Sequence, residues 1–139
     1  MDTKFNNATK QRLKGDRIID APLVTIDIPL LIEQIRKEKL WKDNDRNAIT
    51  VFKTNGMSIV LIALHKGAEM IKHIAKGVIS LQILEGKIRF SAEKQTIELG
   101  KGQMLILHDG ISHSLLAIEE TIFLLTLAVI PEKIVSIIK

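Results

Sequence analysis

From Arg46 onward, turn signals break the chain at short, nearly even intervals: Asn55-Gly56, Lys66-Gly67, Lys76-Gly77, Glu85-Gly86, Glu93-Lys94, Gly100-Lys101-Gly102 and Asp109-Gly110. The runs between them are too short for helices and are rich in Ile, Val and Leu, several with polar and apolar residues alternating. They predict strands over Ala48–Lys53, Ser58–His65, Met70–Ile74, Val78–Leu84, Lys87–Phe90, Thr96–Leu99, Met104–Leu107, His113–Ile118 and Thr121–Ile130, with Pro131 as the stop. Asn55-Gly56 suits a hairpin because both residues tolerate positive φ. About ten short strands in succession imply an all-β sandwich or barrel. Ile59–Leu64 and Phe123–Val129 are apolar on both faces. One face therefore fills the barrel, and the other meets a second sheet, a helix or a second subunit.

The first part of the chain reads differently. Residues 1–17 are polar and charged and predict a flexible or extended arm. Ile18-Ile19 and Leu23–Ile26 are candidate edge strands, interrupted by Pro22. Asp27 suits a helix N-cap and Pro29 an early helical position. Leu31, Ile32, Ile35 and Leu40 then recur at helical spacing, which predicts one short helix over about 29–39. Trp41 is expected as a packing plug and 42–45 as a loop. The chain divides into 1–45 (arm, edge strands and helix packing on the barrel), 46–130 (barrel) and 131–139 (C-terminal tail).

Composition narrows the function. The chain has no cysteine, which excludes disulfides, thiolate metal sites and a cysteine nucleophile and fits a cytoplasmic location. The N-terminus lacks the apolar stretch of a signal peptide. The longest apolar run, Ile122–Ile130, is interrupted by Thr126 and falls well short of the roughly 20 residues of a membrane span. A net charge of +4 comes from Lys and Arg mixed with acids along the chain, with no basic stripe or aromatic platform, so no nucleic-acid partner is expected. Hydrophobic residues make up 46% and mean hydropathy is +0.17, an apolar surplus that points to a homodimer.

Two glycine-bracketed stretches, Gly67–Gly86 and Gly102–His113, carry a resemblance to the cupin superfamily, small barrels of jelly-roll type. The first cupin motif has the form G, five residues, H, one, H, three or four, E, six, G. Gly67, His73 and Gly86 keep those spacings. The second has the form G, five, P, one, G, two, H, three, N, and here Gly102, Gly110 and His113 fit. The resemblance covers about residues 46–130 and implies a cupin-type jelly-roll β-barrel. In metal-binding cupins the two His and the Glu of the first motif join the His of the second around one ion. Ala75 stands at the second His position, Ile79 at the Glu, His108 at the proline and Ala117 at the asparagine.

A catalytic transition metal usually takes at least three protein ligands. His73 and His113 alone fall short, and Ile79 removes the charge that offsets a divalent cation. The favoured reading is therefore a non-catalytic or small-molecule-binding protein. In it, a mostly apolar barrel pocket holds His73 and His113 as its polar groups, without a metal. The alternative is a metal-dependent enzyme of isomerase or oxygenase type, with Zn, Ni or Fe on His73 and His113, completed by His65 or His108. No catalytic residue is assigned. Gln82 alternates with Ile79, Leu81 and Ile83 and is expected to face out of the barrel, in an interface or structural role.

Overall fold

The computed structural model describes residues 17–129 and the strand Lys4–Phe5. The expected tail at 131–139 lies outside the described residues. The elements are β1 (Lys4–Phe5), β2 (Ile18–Asp20), α1 (Ile28–Lys37), α2 (Lys39–Asp43), β3 (Arg46–Thr54), β4 (Met57–Leu64), β5 (Glu69–Ile74), β6 (Val78–Glu85), β7 (Lys87–Ala92), β8 (Gln95–Gly100), β9 (Met104–Leu107), β10 (Ser112–Ala117) and β11 (Thr121–Ala128). Strands β5-β10-β7-β8 form a four-stranded sheet and β3-β4-β11-β6-β9 a five-stranded one. Beyond β4 the chain crosses back and forth between the two, which is the jelly-roll arrangement the turn pattern implies.

Alternation along the strands builds two apolar layers. Ile62, Leu64, Leu81, Ile83 and Phe123 of the five-stranded sheet meet Ile88, Phe90, Leu99, Leu115 and Ala117 of the four-stranded one inside the barrel. The opposite face of the five-stranded sheet presents Ile49, Val51, Leu61, Ala63 and Ile122 to Leu31, Ile35 and Trp41 of the helices. The two-faced apolar strands thus have a helical layer as one of their partners. Full burial of an aliphatic side chain such as Ile35 is worth about 1.5–3 kcal/mol.

The helical layer departs from the sequence expectation. Asp27 caps α1 as expected, its Oδ1 accepting from Leu30 N at 3.1 Å. The helix then stops at Lys37, Glu38 is extended, and a second short helix begins at Lys39 where a loop was expected from residue 42. Asn47, buried on β3, reaches this junction. Its Nδ2 donates to Ile35 O at 3.0 Å and to Glu38 Oε1 at 3.0 Å, and Gln34 Nε2 also donates to Glu38 Oε2 at 3.1 Å. The bond to Ile35 O satisfies a carbonyl at the end of α1, and just beyond the junction Trp41 enters the apolar layer, as the packing-plug reading requires. Arg36 fixes the other side of α1 to the barrel, donating to Glu85 at 3.0 Å and Glu120 at 3.3 Å. The hydrogen bond to Glu85 raises its pKa further above an already basic value.

At the N-terminal end, β1 and β2 pair antiparallel. Leu23–Ile26 forms no strand, which corrects the expected second edge strand. Pro22 lacks a ladder N–H, and Leu23 beside it is exposed.

Two of the glycines close turns that no other residue fits. Gly86 joins β6 to β7 at φ +90°, and a Cβ there would collide with Glu120 O. Gly77 joins β5 to β6 at φ +140°, with Ala128 O only 2.6 Å from where a Cβ would stand.

Candidate functional site

The site lies at one end of the barrel, between β5 and β10. The two strands are antiparallel, and His73 is the direct partner of His113. Their ring centroids are 4.2 Å apart, with planes inclined at 60°. Phe90 on β7 lies on the other side of His113, 5.6 Å away and nearly parallel at 17°. His113 is buried and His73 is exposed, so one ring forms a wall and the other the rim.

A β-bulge aims His73 inward. His73 pairs with His113 and Met70 with Leu115, so β5 spends three residues where β10 spends two. Ile71 and Lys72 take up the extra position on the outside, where both are exposed. As a result Met70 and His73 face the same interior, although regular alternation would put them on opposite faces.

The protonation pattern of both rings follows from their partners. His73 Nδ1–H donates to Ile71 O at 2.9 Å, and His113 Nδ1–H donates to Ile111 O at 2.9 Å. A carbonyl only accepts, so each neutral ring carries its proton on Nδ1 and has a bare lone pair on Nε2. This tautomer is the one an imidazole needs to accept from a ligand donor or to bind a metal through Nε2.

The space beside the rings is a cavity of about 90 Å³. Its remaining walls are apolar: Met70, Ala75, Ile79, Leu81, Phe90, Leu115, Phe123, Leu125 and Leu127. The loops around it are tied together. Gly77 N donates to Asp109 Oδ1 at 2.7 Å, and Gly110 N donates to Ala75 O at 3.2 Å. The second bond joins the β5–β6 turn to the loop that leads into His113.

The remaining sequence candidates go elsewhere. His65 turns to the helical layer, stacking on Trp41 at 3.5 Å and donating from Nε2 to Trp41 O at 2.7 Å. Its Nδ1 lies 3.9 Å from Glu120. His108 is exposed on the loop after β9 and does not line the cavity. Gln82 is exposed on the outer face of β6, opposite the inward Leu81 and Ile83, as alternation predicts. Met70 and Phe90 are cavity residues that the sequence reading did not single out. Phe90 was legible in the alternation of β7, whereas Met70 was hidden by the bulge.

The residues do not fit the four-ligand divalent centre that cupin motifs imply. Ala75 and Ile79 line the cavity at the positions of the missing His and Glu. No group of three or more His, Cys, Asp or Glu is close enough to hold a metal among the described residues.

No protein-family profile and no curated protein matches the sequence. Solved structures are similar in fold. A conserved protein of unknown function from Streptococcus pyogenes is 23% identical over 81% of this chain and 93% of its own, with a TM-score of 0.65. The Cnp3 cupin domain of Schizosaccharomyces pombe is 18% identical over 85% of this chain and 74% of its own, with a TM-score of 0.61. An RmlC-like cupin with a double-stranded β-helix fold, from Methanocaldococcus jannaschii, is 21% identical over 67% and 89%, with a TM-score of 0.58. The chain has the cupin fold, a jelly-roll barrel with short helices packed on its outer face. Among the described residues no helix is long and apolar enough to cross a membrane.

Proposed function

We propose that this is a non-catalytic, small-molecule-binding protein of cupin fold that takes its ligand in the barrel cavity through His73 and His113. The observation that carries the reading is the pair of Nδ1–H bonds to Ile71 O and Ile111 O, which commit one side of each ring and leave both Nε2 atoms for a ligand. Neutral imidazoles accept from a hydroxyl or a carboxylic acid, and a ring that takes up a second proton holds a carboxylate. The apolar walls suit a short hydrocarbon body. The cavity, about 90 Å³, far exceeds the roughly 10–15 Å³ a single water needs and is smaller than a roughly 150 Å³ benzene-binding cavity. A ligand of a few heavy atoms follows.

The test is a titration of untagged protein with butyrate, valerate and butanol, followed by the histidine Hε1 signals in NMR. Saturable movement of the His73 and His113 signals is expected, with binding abolished in a His73→Ala, His113→Ala double variant. If neither signal moves with any of the three compounds, the reading fails.

The same reading includes a homodimer in a reducing cytoplasm. Support comes from the outer face of β9, where Met104 and Ile106 are exposed beyond the reach of the helices, beside Gln82. Sedimentation velocity at micromolar concentration should give a dimer, and Ile106→Glu should shift it toward monomer. A wild-type monomer overturns this part.

A further inference from the structure

The mismatch between the cavity and a divalent centre has a chemical resolution in the residue that the bulge brings in. We propose that the cavity is a site for a soft univalent metal ion, Cu(I), held by Nε2 of His73, Nε2 of His113 and the thioether sulfur of Met70. This rests on the reading that the two Nε2 atoms are the binding groups of the pocket, and it names a ligand for them.

All three side chains line one cavity of about 90 Å³. His73 stands opposite His113, and Met70 opposite Leu115 two residues further along β10, on either side of the bulge. In an unbroken strand residues 70 and 73 point to opposite faces, so the bulge at Ile71–Lys72 is what makes a three-donor set. The same bulge supplies the Ile71 carbonyl that holds the proton of His73 on Nδ1 and keeps Nε2 available. Backbone geometry and donor geometry are thus set by one feature.

The donor types select the ion. A thioether and two neutral imidazoles form a soft, uncharged set, which favours Cu(I) and offers nothing to ions that need oxygen ligands, such as Mg or Ca. Charge selects in the same direction. The other cavity walls are apolar and carry no carboxylate to offset a second positive charge. The cost of removing an ion from water grows with the square of its charge, so a univalent ion incurs about a quarter of the penalty of a divalent ion of equal size. Cu(I) is also satisfied by two or three donors, whereas a Zn site with three protein ligands still carries water and is built from thiolate, imidazole or carboxylate. Ile79, at the position of a metal-binding carboxylate, is then compatible with a metal site of a different charge.

The test uses untagged full-length protein under anaerobic conditions, titrated with Cu(I) in competition with the chromophoric chelator bathocuproine disulfonate, with Zn(II) and Ni(II) in parallel. One Cu(I) per chain is expected, with a sulfur scatterer in X-ray absorption. Met70→Leu keeps the volume and apolar character of the side chain, so it should preserve the fold while weakening Cu(I) binding by at least tenfold and removing the sulfur signal. His113→Ala should abolish binding. Equal Cu(I) affinity in wild type and M70L makes Met70 a core filler and overturns the proposal. So does uptake of several Cu(I) ions indifferent to His73 and His113, or displacement of Cu(I) by equimolar Zn(II). No Cu(I) uptake alongside histidine-dependent binding of butyrate, valerate or butanol overturns this inference and leaves the small-molecule reading standing. Failure of both kinds of ligand removes both.

Discussion

His73 and His113 are cross-strand partners with unequal surroundings: their rings are 4.2 Å apart, yet His113 is buried against Phe90 while His73 is exposed at the rim. Removing the two rings should therefore have different costs. His113→Ala uncovers the Phe90 face, takes the donor away from Ile111 O and enlarges an apolar cavity. A loss of about 1–3 kcal/mol is expected from these effects. His73→Ala removes an exposed ring and should stay within about 0.5 kcal/mol. Urea denaturation of the two variants checks this, and equal losses would contradict the asymmetric burial.

How much of this was legible in the sequence depends on what set each feature. The strand at Met104–Leu107 and the turns at Gly56, Gly77 and Gly86 follow from local chemistry, because positive φ and close backbone approach select glycine wherever they occur. The pairing of His73 with His113 was implied by the resemblance to two spaced motifs, and the structure brings the two rings together. The bulge was not legible. Nothing in Glu69–Ile74 distinguishes a regular strand from one with an extra residue at Ile71–Lys72, since both exposed positions accept either state. Met70 was lost with it. The direction of His65 was open for a related reason: it follows a strand end, and the stacking surface that it meets, Trp41, comes from a distant helix.

Asn47 holds the helical layer to the barrel from a buried position. Its amide donates to Ile35 O and to the Glu38 carboxylate, each at 3.0 Å. Asn47→Ala would leave both acceptors without that donor and free the chain at the α1–α2 junction. A loss of about 1–3 kcal/mol is expected. Trp41 fluorescence reports the local consequence, because its ring depends on that junction to enter the apolar layer. An unchanged emission maximum and unchanged stability would show that the two bonds do not set the helix break.

Acid sensitivity has a local source on the four-stranded sheet. Glu98 on β8 accepts from Arg89 at 3.3 Å and lies 3.4 Å from Lys87 Nζ, both on β7. The Arg89 hydrogen bond, then that of Lys87, holds its carboxyl below the usual range. A folded-state value below the unfolded one adds stability that is present above the ordinary carboxylate pKa near about 4 and is lost as pH falls through the lowered value. Glu98→Gln should therefore flatten the acid side of the Tm-versus-pH curve. The group is exposed, so the difference should be small and should shrink further at high salt. Superimposable acid limbs for wild type and variant at low salt would be evidence against it.

The positions of Ala75 and Ile79 on the cavity wall make a gain-of-binding experiment possible. The double substitution Ala75→His, Ile79→Glu adds an imidazole and a carboxylate beside His73 and His113. It thereby supplies the donor number and the negative charge that a divalent transition metal needs. Without metal, the new carboxylate sits in an apolar cavity, and a loss of about 2–4 kcal/mol is expected, with the acid driven toward its protonated form. With Ni(II) or Zn(II) at about 100 times the dissociation constant, binding returns roughly 2.7 kcal/mol. The double variant should thus bind one ion per chain by elemental analysis and regain most of its lost Tm when metal is added. The single Ala75→His variant, still without a carboxylate, should bind divalent ions more weakly. If the double variant folds and takes up no more Ni(II) or Zn(II) than wild type, then Ala75 and Ile79 do not occupy ligand positions, and the correspondence between this cavity and a cupin metal centre fails at those two residues.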